Sequence, residues 1–334
     1  MSKTILVTGG AGYIGSHACK ALAKAGWEPV AYDNLSRGHR AAVRWGPLVE
    51  GDLADREHVT ATLRRYDAVA VMHFAAFAYV GESVERPELY FRNNVAGSLS
   101  LFEAMLAAGV RDIVFSSTCA TYGLPETVPI PETAPQRPVN PYGESKLMIE
   151  RVLYWLGAAH GMRHALLRYF NAAGADPEGE IGEDHEPETH LVPLILLAAL
   201  GRRPAVEIYG TDYPTPDGTA IRDYIHVQDL ADAHVRAIDH LRGGSASLAL
   251  NLGTGRGHSV REAIAAAERV TGRSIARRET ARRPGDPPVL VADAARARQI
   301  LGWTPRISDL DTIIATAWAW HLRQHNSAAA PARA

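Results

Sequence analysis

Thr4-Ile5-Leu6-Val7-Thr8-Gly9-Gly10-Ala11-Gly12-Tyr13-Ile14-Gly15 sets a short apolar run directly before a glycine-rich turn, and a helical pattern, Ile14 to Ala25, follows at once. In a strand-to-helix turn, glycine spacing of this kind has a physical use. Gly9, Gly12 and Gly15 let the backbone turn tightly and approach a pyrophosphate, whose charge is favoured at a helix N-terminus. Asp33 stands eighteen residues beyond Gly15, at the end of the next strand pattern. A carboxylate there takes both ribose hydroxyls and repels a 2′-phosphate, so the expected cofactor is NAD rather than NADP. Arg37, close by, reads as a solvated loop arginine, with a phosphate clamp as the alternative.

Outward from this turn, apolar runs alternate with amphipathic stretches. Strands are predicted near 4–8, 28–33, 47–50, 69–74, 112–117 and 165–170, with helices over 14–25, 92–108 and 145–159 between them. Repeated βαβ units of this kind predict an α/β fold, a Rossmann-type doubly wound parallel sheet, joined to a smaller α/β substrate-binding domain. After Asn171 a region rich in Gly, Pro, Asp and Glu begins, and Ile225 to Leu241 again reads as strand and helix. The expected division is therefore 1–173 plus about 222–255 for the dinucleotide, about 174–221 plus 256–325 for the substrate, and a frayed tail over 326–334. Asp52-Leu53 and Phe74-Ala75-Ala76 fall at carboxyl ends of strands, where ligands collect in such sheets. Small residues there leave room for a cofactor. Asp52 reads equally as an adenine contact or a helix N-cap.

The chain has 334 residues, 22% charged, with a formal net charge of −2. Such a balance gives no electrostatic footprint for nucleic acid or for a membrane surface. The apolar stretch Leu191 to Leu200 is about half as long as a membrane span, which needs roughly 20 residues, and is expected as a buried helix. The first residues lack a signal-peptide pattern, so a cytoplasmic protein is expected. Two cysteines, Cys19 and Cys119, make no disulfide framework, and no Cys/His grouping has structural-zinc spacing, so no metal is expected.

Only four of the 35 basic residues are lysines, at 3, 20, 24 and 146. Lys146 closes Tyr142-Gly143-Glu144-Ser145-Lys146, whose i, i+4 spacing puts a phenol and an ammonium on one helix face. Tyrosine is a poor base until a cation stabilises its phenolate, and Lys146 and a nicotinamide ring are two such cations. Ser116-Ser117-Thr118 ends the fifth strand on the ligand side of the sheet, and Thr118 is the candidate to bridge substrate and tyrosine, with strand-end capping expected of one serine.

These residues resemble the extended branch of the short-chain dehydrogenase/reductase superfamily. Further blocks, among them Asp33-Asn34-Leu35, Val80-Gly81-Glu82-Ser83, Leu167 to Asn171, Gly210 to Tyr213, Ile221 to Val227 and Arg282 to Asp286, narrow the resemblance to its UDP-glucose 4-epimerase family. The resemblance implies cofactor contacts at Tyr13, Ile14, Asp33, Asn34, Leu35, Asp52, Leu53, Phe74, Ala75, Ala76, Asn93, Tyr142, Lys146 and Phe170. Substrate contacts are implied at Thr118, Tyr142, Asn171, His190, Leu191, Tyr209, Arg222, Arg283, Asp286 and Leu290, the two arginines facing a diphosphate. The implied reaction is inversion at C4 of a UDP-sugar through a transient 4-keto intermediate, most directly UDP-glucose/UDP-galactose, by a homodimer. UDP-arabinose/UDP-xylose and UDP-N-acetylglucosamine are the alternative substrates, and a non-catalytic NAD-binding regulator is the alternative from another class. A 4,6-dehydratase would carry Asp-Glu after its threonine, where this chain has Cys119-Ala120. Three positions depart from the familiar pattern: Ala78 stands for a common Lys, His190 for a common Asn and Leu290 for an occasional Tyr.

Overall fold

Ile5 and Val7 are buried in one hydrophobic core and Leu6, between them, in another, so the first strand is covered on both faces. The computed structural model describes residues 2–283 and 285–329. In chain order the elements are β1 (Thr4–Thr8), α1 (Tyr13–Lys24), β2 (Glu28–Asp33), β3 (Leu48–Glu50), α2 (Arg56–Arg65), β4 (Ala70–His73), α3 (Val80–Glu85), α4 (Pro87–Tyr90), α5 (Gly97–Ala108), β5 (Asp112–Thr118), α6 (Pro141–His160), β6 (Arg163–Tyr169), β7 (Asn171–Ala173) and α7 (Leu191–Ala199). They continue as β8 (Val206–Tyr209), β9 (Ile221–Arg222), β10 (Tyr224–His226), α8 (Val227–Arg242), β11 (Leu248–Leu252), β12 (His258–Ser259), α9 (Val260–Thr271), β13 (Arg277–Thr280), β14 (Val289–Leu290), α10 (Ala295–Leu301) and α11 (Leu310–Ala329).

Among the described residues, seven strands form one sheet in the order β11-β6-β5-β4-β1-β2-β3, with every neighbouring pair parallel. This is the doubly wound order with one strand added, and its switch point lies between β1 and β4. Side chains of α1, α8 and α10 build the core on one face, and those of α2, α5 and α6 the core on the other. A third core gathers Val192, Ile195 and Leu196 of α7, Ala263 and Ile264 of α9 and Ile313 and Ile314 of α11 beside the ligand end of the sheet. Short strand pairs and triplets, β8 with β13 and β12-β9-β14, join it.

Three expectations shift. The helical pattern over 92–108 begins as a π-helical segment, Phe91–Ala96, before α5. The frayed tail falls partly on α11, since alanine-rich sequence continues the helix to Ala329; residues 330–334 lie outside the described residues. The stretch expected in the second domain also returns Ala294, Ala297, Leu301 and Trp303 to the core of the large sheet. Trp303 is wholly buried there, with its indole N–H donating to Asp229 O at 2.8 Å. Among the described residues, no helix is long and apolar enough to cross a membrane.

Candidate active site

Gly9 turns the chain at φ +73°, and a side chain there would meet Ala75 N at 2.6 Å. A Cβ on Gly15 would lie 2.0 Å from Gly9 O, so glycine is what lets α1 start against the turn. The helix has no side-chain cap and no acidic residue in its first turn, which leaves its N-terminal donors for an anion. Asp33 accepts from Ala11 N at 3.0 Å and Leu35 N at 2.8 Å. Burial raises its pKa, and these two donors work against the shift. Each carboxylate oxygen keeps acceptor capacity for a hydroxyl. A helix N-terminus without a side-chain cap, a glycine cradle and a fixed carboxylate together fit a dinucleotide without a 2′-phosphate.

The cradle opens into a cavity of about 1440 Å³. That exceeds the roughly 300–1,000 Å³ of an ordinary small-molecule site, as a dinucleotide plus a nucleotide sugar requires. The wall brings together every expected site residue except Leu35, which sits at φ +57° with its N–H turned to Asp33. Asp52 is not the N-cap of α2, which is Asp55. Asp52 instead accepts from Asn34 Nδ2 and Ala54 N, both at 2.8 Å. Arg37, its side chain 32% exposed, pairs with Glu82 at 3.0 Å and stacks over Phe77 and Tyr79 at the cavity wall.

At the middle of the cavity, α6 starts sharply: Asn140 accepts from Gly143 N at 2.8 Å, and Pro141 occupies the first turn. That cap aims Tyr142 and Lys146 at the end of β5. Burial pushes the Tyr142 phenol up to about 12, against a hydrogen bond with Thr118 that favours the phenolate. Burial lowers the Lys146 ammonium to about 7, with Glu150 opposing. Lys146 Nζ donates to Ser116 O at 2.8 Å and lies 4.9 Å from the Phe115 ring centroid. Strand-end capping falls to Thr118 itself, which accepts from Ala120 N at 3.1 Å, whereas Ser116 bonds Tyr169 and Ser117 bonds Glu150. Cys119 is buried, its thiol pushed to about 12, which suits packing rather than catalysis.

At the far end, Asp286 holds the Arg222 guanidinium, while Arg283 lies 3.8 Å from the centroid of the Tyr209 ring. Leu290, paired in register with Arg222, packs against the small core of Cys119, Tyr122, Ile130, Phe170 and Ala292. His190 ends the loop before α7. Burial works to lower it, but Glu183, with Glu188 behind it, outweighs that and raises the imidazole to about 9.

Several site residues were not foreseen. Asn94 is wholly buried; its amide bridges Phe77 N at 2.8 Å, Phe77 O at 3.0 Å and Ser145 Oγ at 3.1 Å, pinning the loop after β4 to α6. Glu150 forms a buried two-point pair with Arg168, at 2.9 and 2.6 Å, under the reacting residues. Its signal was available, since 142, 146 and 150 fall on one helical stripe. Glu183, His185 and Glu188 join His190 in a cluster that a search for Cys/His zinc patterns passes over.

The sequence profile of the NAD dependent epimerase/dehydratase family matches residues 5–253. A UDP-glucose 4-epimerase of Rhizobium meliloti (strain 1021) is 54% identical over 324 residues, covering 97% of this chain and 98% of that protein. The solved UDP-glucose 4-epimerase from Brucella ovis in complex with NAD has a TM-score of 0.94 and 55% identity, with 95% of this chain and 98% of that chain covered. The UDP-glucose-4-epimerase structure from Stenotrophomonas maltophila, with bound NAD and formylated UDP-arabinopyranose, also has a TM-score of 0.94, at 43% identity and 97% and 99% coverage. The profile thus spans the large sheet from β1 through β11 and whole-chain relatives share its fold, so the chain belongs to the NAD dependent epimerase/dehydratase family.

Proposed function

We propose that this protein inverts C4 of a UDP-sugar, UDP-glucose and UDP-galactose being the main pair, with NAD as its resident cofactor. The observation that carries this reading is that Thr118, Tyr142 and Lys146 line one cavity together with the glycine turn, Asp33, Arg222 and Arg283. NAD, when bound, supplies the acceptor and then the donor of the C4 hydride. Tyr142 takes the proton from the sugar O4 while Thr118 bonds its phenol, and the same phenol returns that proton after the ring has turned. Arg222 and Arg283 hold the diphosphate, so remote binding energy anchors the substrate and leaves the hexose free to present either face. Asp33, Asn93, Phe170 and the glycine turn hold the cofactor, and Asn171, Leu191 and Leu290 border the sugar nucleotide. Cys119 and Ala120, after Thr118, supply no acid for a dehydration.

Incubation of the purified protein with UDP-glucose and no added cofactor is expected to yield UDP-galactose, resolved chromatographically. Folded, NAD-loaded protein that gave no epimer of any UDP-sugar would leave only a nucleotide-binding regulator.

The working form is a cytoplasmic homodimer. Tyr154 and Trp155 on α6 are 63% and 69% exposed, and Met148 and Leu99 on the neighbouring α5–α6 surface are also exposed. Large apolar side chains gathered on two packed helices support burial against a second copy. The large sheet with its returning segment 294–303 serves the dinucleotide, and the smaller body around α7, α9 and α11 serves the sugar nucleotide.

A further inference from the structure

Four side chains on the loop before α7, Glu183, His185, Glu188 and His190, converge so that their ligating atoms all lie within 4.8 Å of one another. Glu183 Oε1 touches His190 Nδ1 and lies 3.2 Å from His185 Nδ1. Glu188 stands 3.9 Å from His185 Nδ1 and 3.6 Å from His190 Nδ1. Both carboxylates are sequestered, their side chains 4% and 9% exposed. His185 Nδ1 is buried yet makes no hydrogen bond among the described residues. An imidazole nitrogen that lies within 4 Å of two sequestered carboxylates but outside hydrogen-bonding geometry has the disposition of a metal ligand.

We propose that these four residues form a site for one divalent transition-metal ion of the zinc or cobalt class. Two imidazole nitrogens and two carboxylate oxygens are a donor set such ions accept in tetrahedral geometry. The ion takes the place of the proton shared between Glu183 and His190, which leaves to solvent. The ring of His185 packs edge-on against Tyr13 and Tyr79, at 6.3 and 6.0 Å between centroids, so the ion ties this loop to the start of α1 at the cavity wall.

The test uses tag-free, NAD-loaded protein stripped with a chelator and titrated with cobalt(II). Expected are one ion per chain, visible d–d absorption of a tetrahedral complex that zinc(II) bleaches, and a zinc-dependent rise in Tm. Both signals should vanish in His185→Ala and, independently, in Glu188→Gln. Absence of both signals in wild type overturns the site whatever the variants do. Signals that persist unchanged in both variants overturn it as well, since the ion then sits elsewhere.

Discussion

At the scale of single residues, Tyr142 and Lys146 illustrate chemistry held against folding preference. Tyr142→Phe removes the base but not the pocket, so kcat should fall by about two or more orders of magnitude while NAD remains bound, read from released nucleotide after denaturation. Near wild-type turnover would dismiss Tyr142 as the base. Lys146→Arg should also be severely impaired, because a planar, bulkier cation cannot take the ammonium's place beside Ser116 O. Burying that ammonium has a cost of its own. Below pH 7 both folded and unfolded chains carry the Lys146 charge, and the folded chain bears the full desolvation cost. Between about 7 and 10.5 the folded state loses its proton first and the cost fades. In cofactor-free protein, Lys146→Met should therefore be more stable than wild type at pH 6, by about 3 to 5 kcal/mol, with the gap closing towards pH 10.5. Urea midpoints of the two proteins across that range test this, and a gap independent of pH would mean that folded and unfolded chains hold the Lys146 proton equally, so that burial does not lower its pKa.

At the scale of elements, the proposed sugar wall rests on β14, a strand of only two residues. Leucine is smaller than tyrosine at this cavity-lining position, so UDP-N-acetylglucosamine should be turned over detectably beside the UDP-glucose/UDP-galactose pair, with UDP-arabinose/UDP-xylose the rival pair. Leu290→Tyr should lower kcat/KM for the N-acetyl sugar selectively, by the roughly 10- to 200-fold that pocket shape commonly commands. An unchanged ratio among the three pairs would remove Leu290 as the gate. The same short strands mark what was legible in the sequence. Long buried strands such as β1 and β5, and the caps around α6, have local signals that fix their limits to within a few residues. By contrast, β9, β12 and β14 exist only because distant segments pair, so no periodicity announces them. Asn94 was hidden for a similar reason: a π-helical segment turns it inward, and its partners Phe77 and Ser145 lie 17 and 51 residues away. The glycine turn, Tyr142, Lys146 and Thr118, which the fold brings to one cavity, could be singled out as candidates because their spacing within one turn or strand end suits the proposed chemistry.

At the scale of the whole molecule, the cavity wall runs continuously from the cofactor cradle to the arginines, so hydride and substrate share one enclosure. Substrate deuterated at C4 should keep its label through repeated turnovers in the presence of free NAD. Loss of label to that pool in every turnover would rule out return of the hydride within the site. The exposed pair on α6 makes a second prediction: Trp155→Glu should shift sedimentation from dimer towards monomer, and a wild type that sediments as a monomer at micromolar concentration would discard the dimer.

The return of residues 294–303 to the first core has a consequence for how the molecule is made. The cradle of residues 4–33 leaves the ribosome first, but Leu301 and Trp303, which close the floor beneath it, leave nearly last. Synthesis therefore passes through a long interval in which the oldest part of the chain waits unsealed for one of the youngest. Nascent chains arrested near residue 260 should remain open to protease within α8, whose Asp229 lacks its tryptophan lid, and protection should arrive abruptly once Trp303 has emerged.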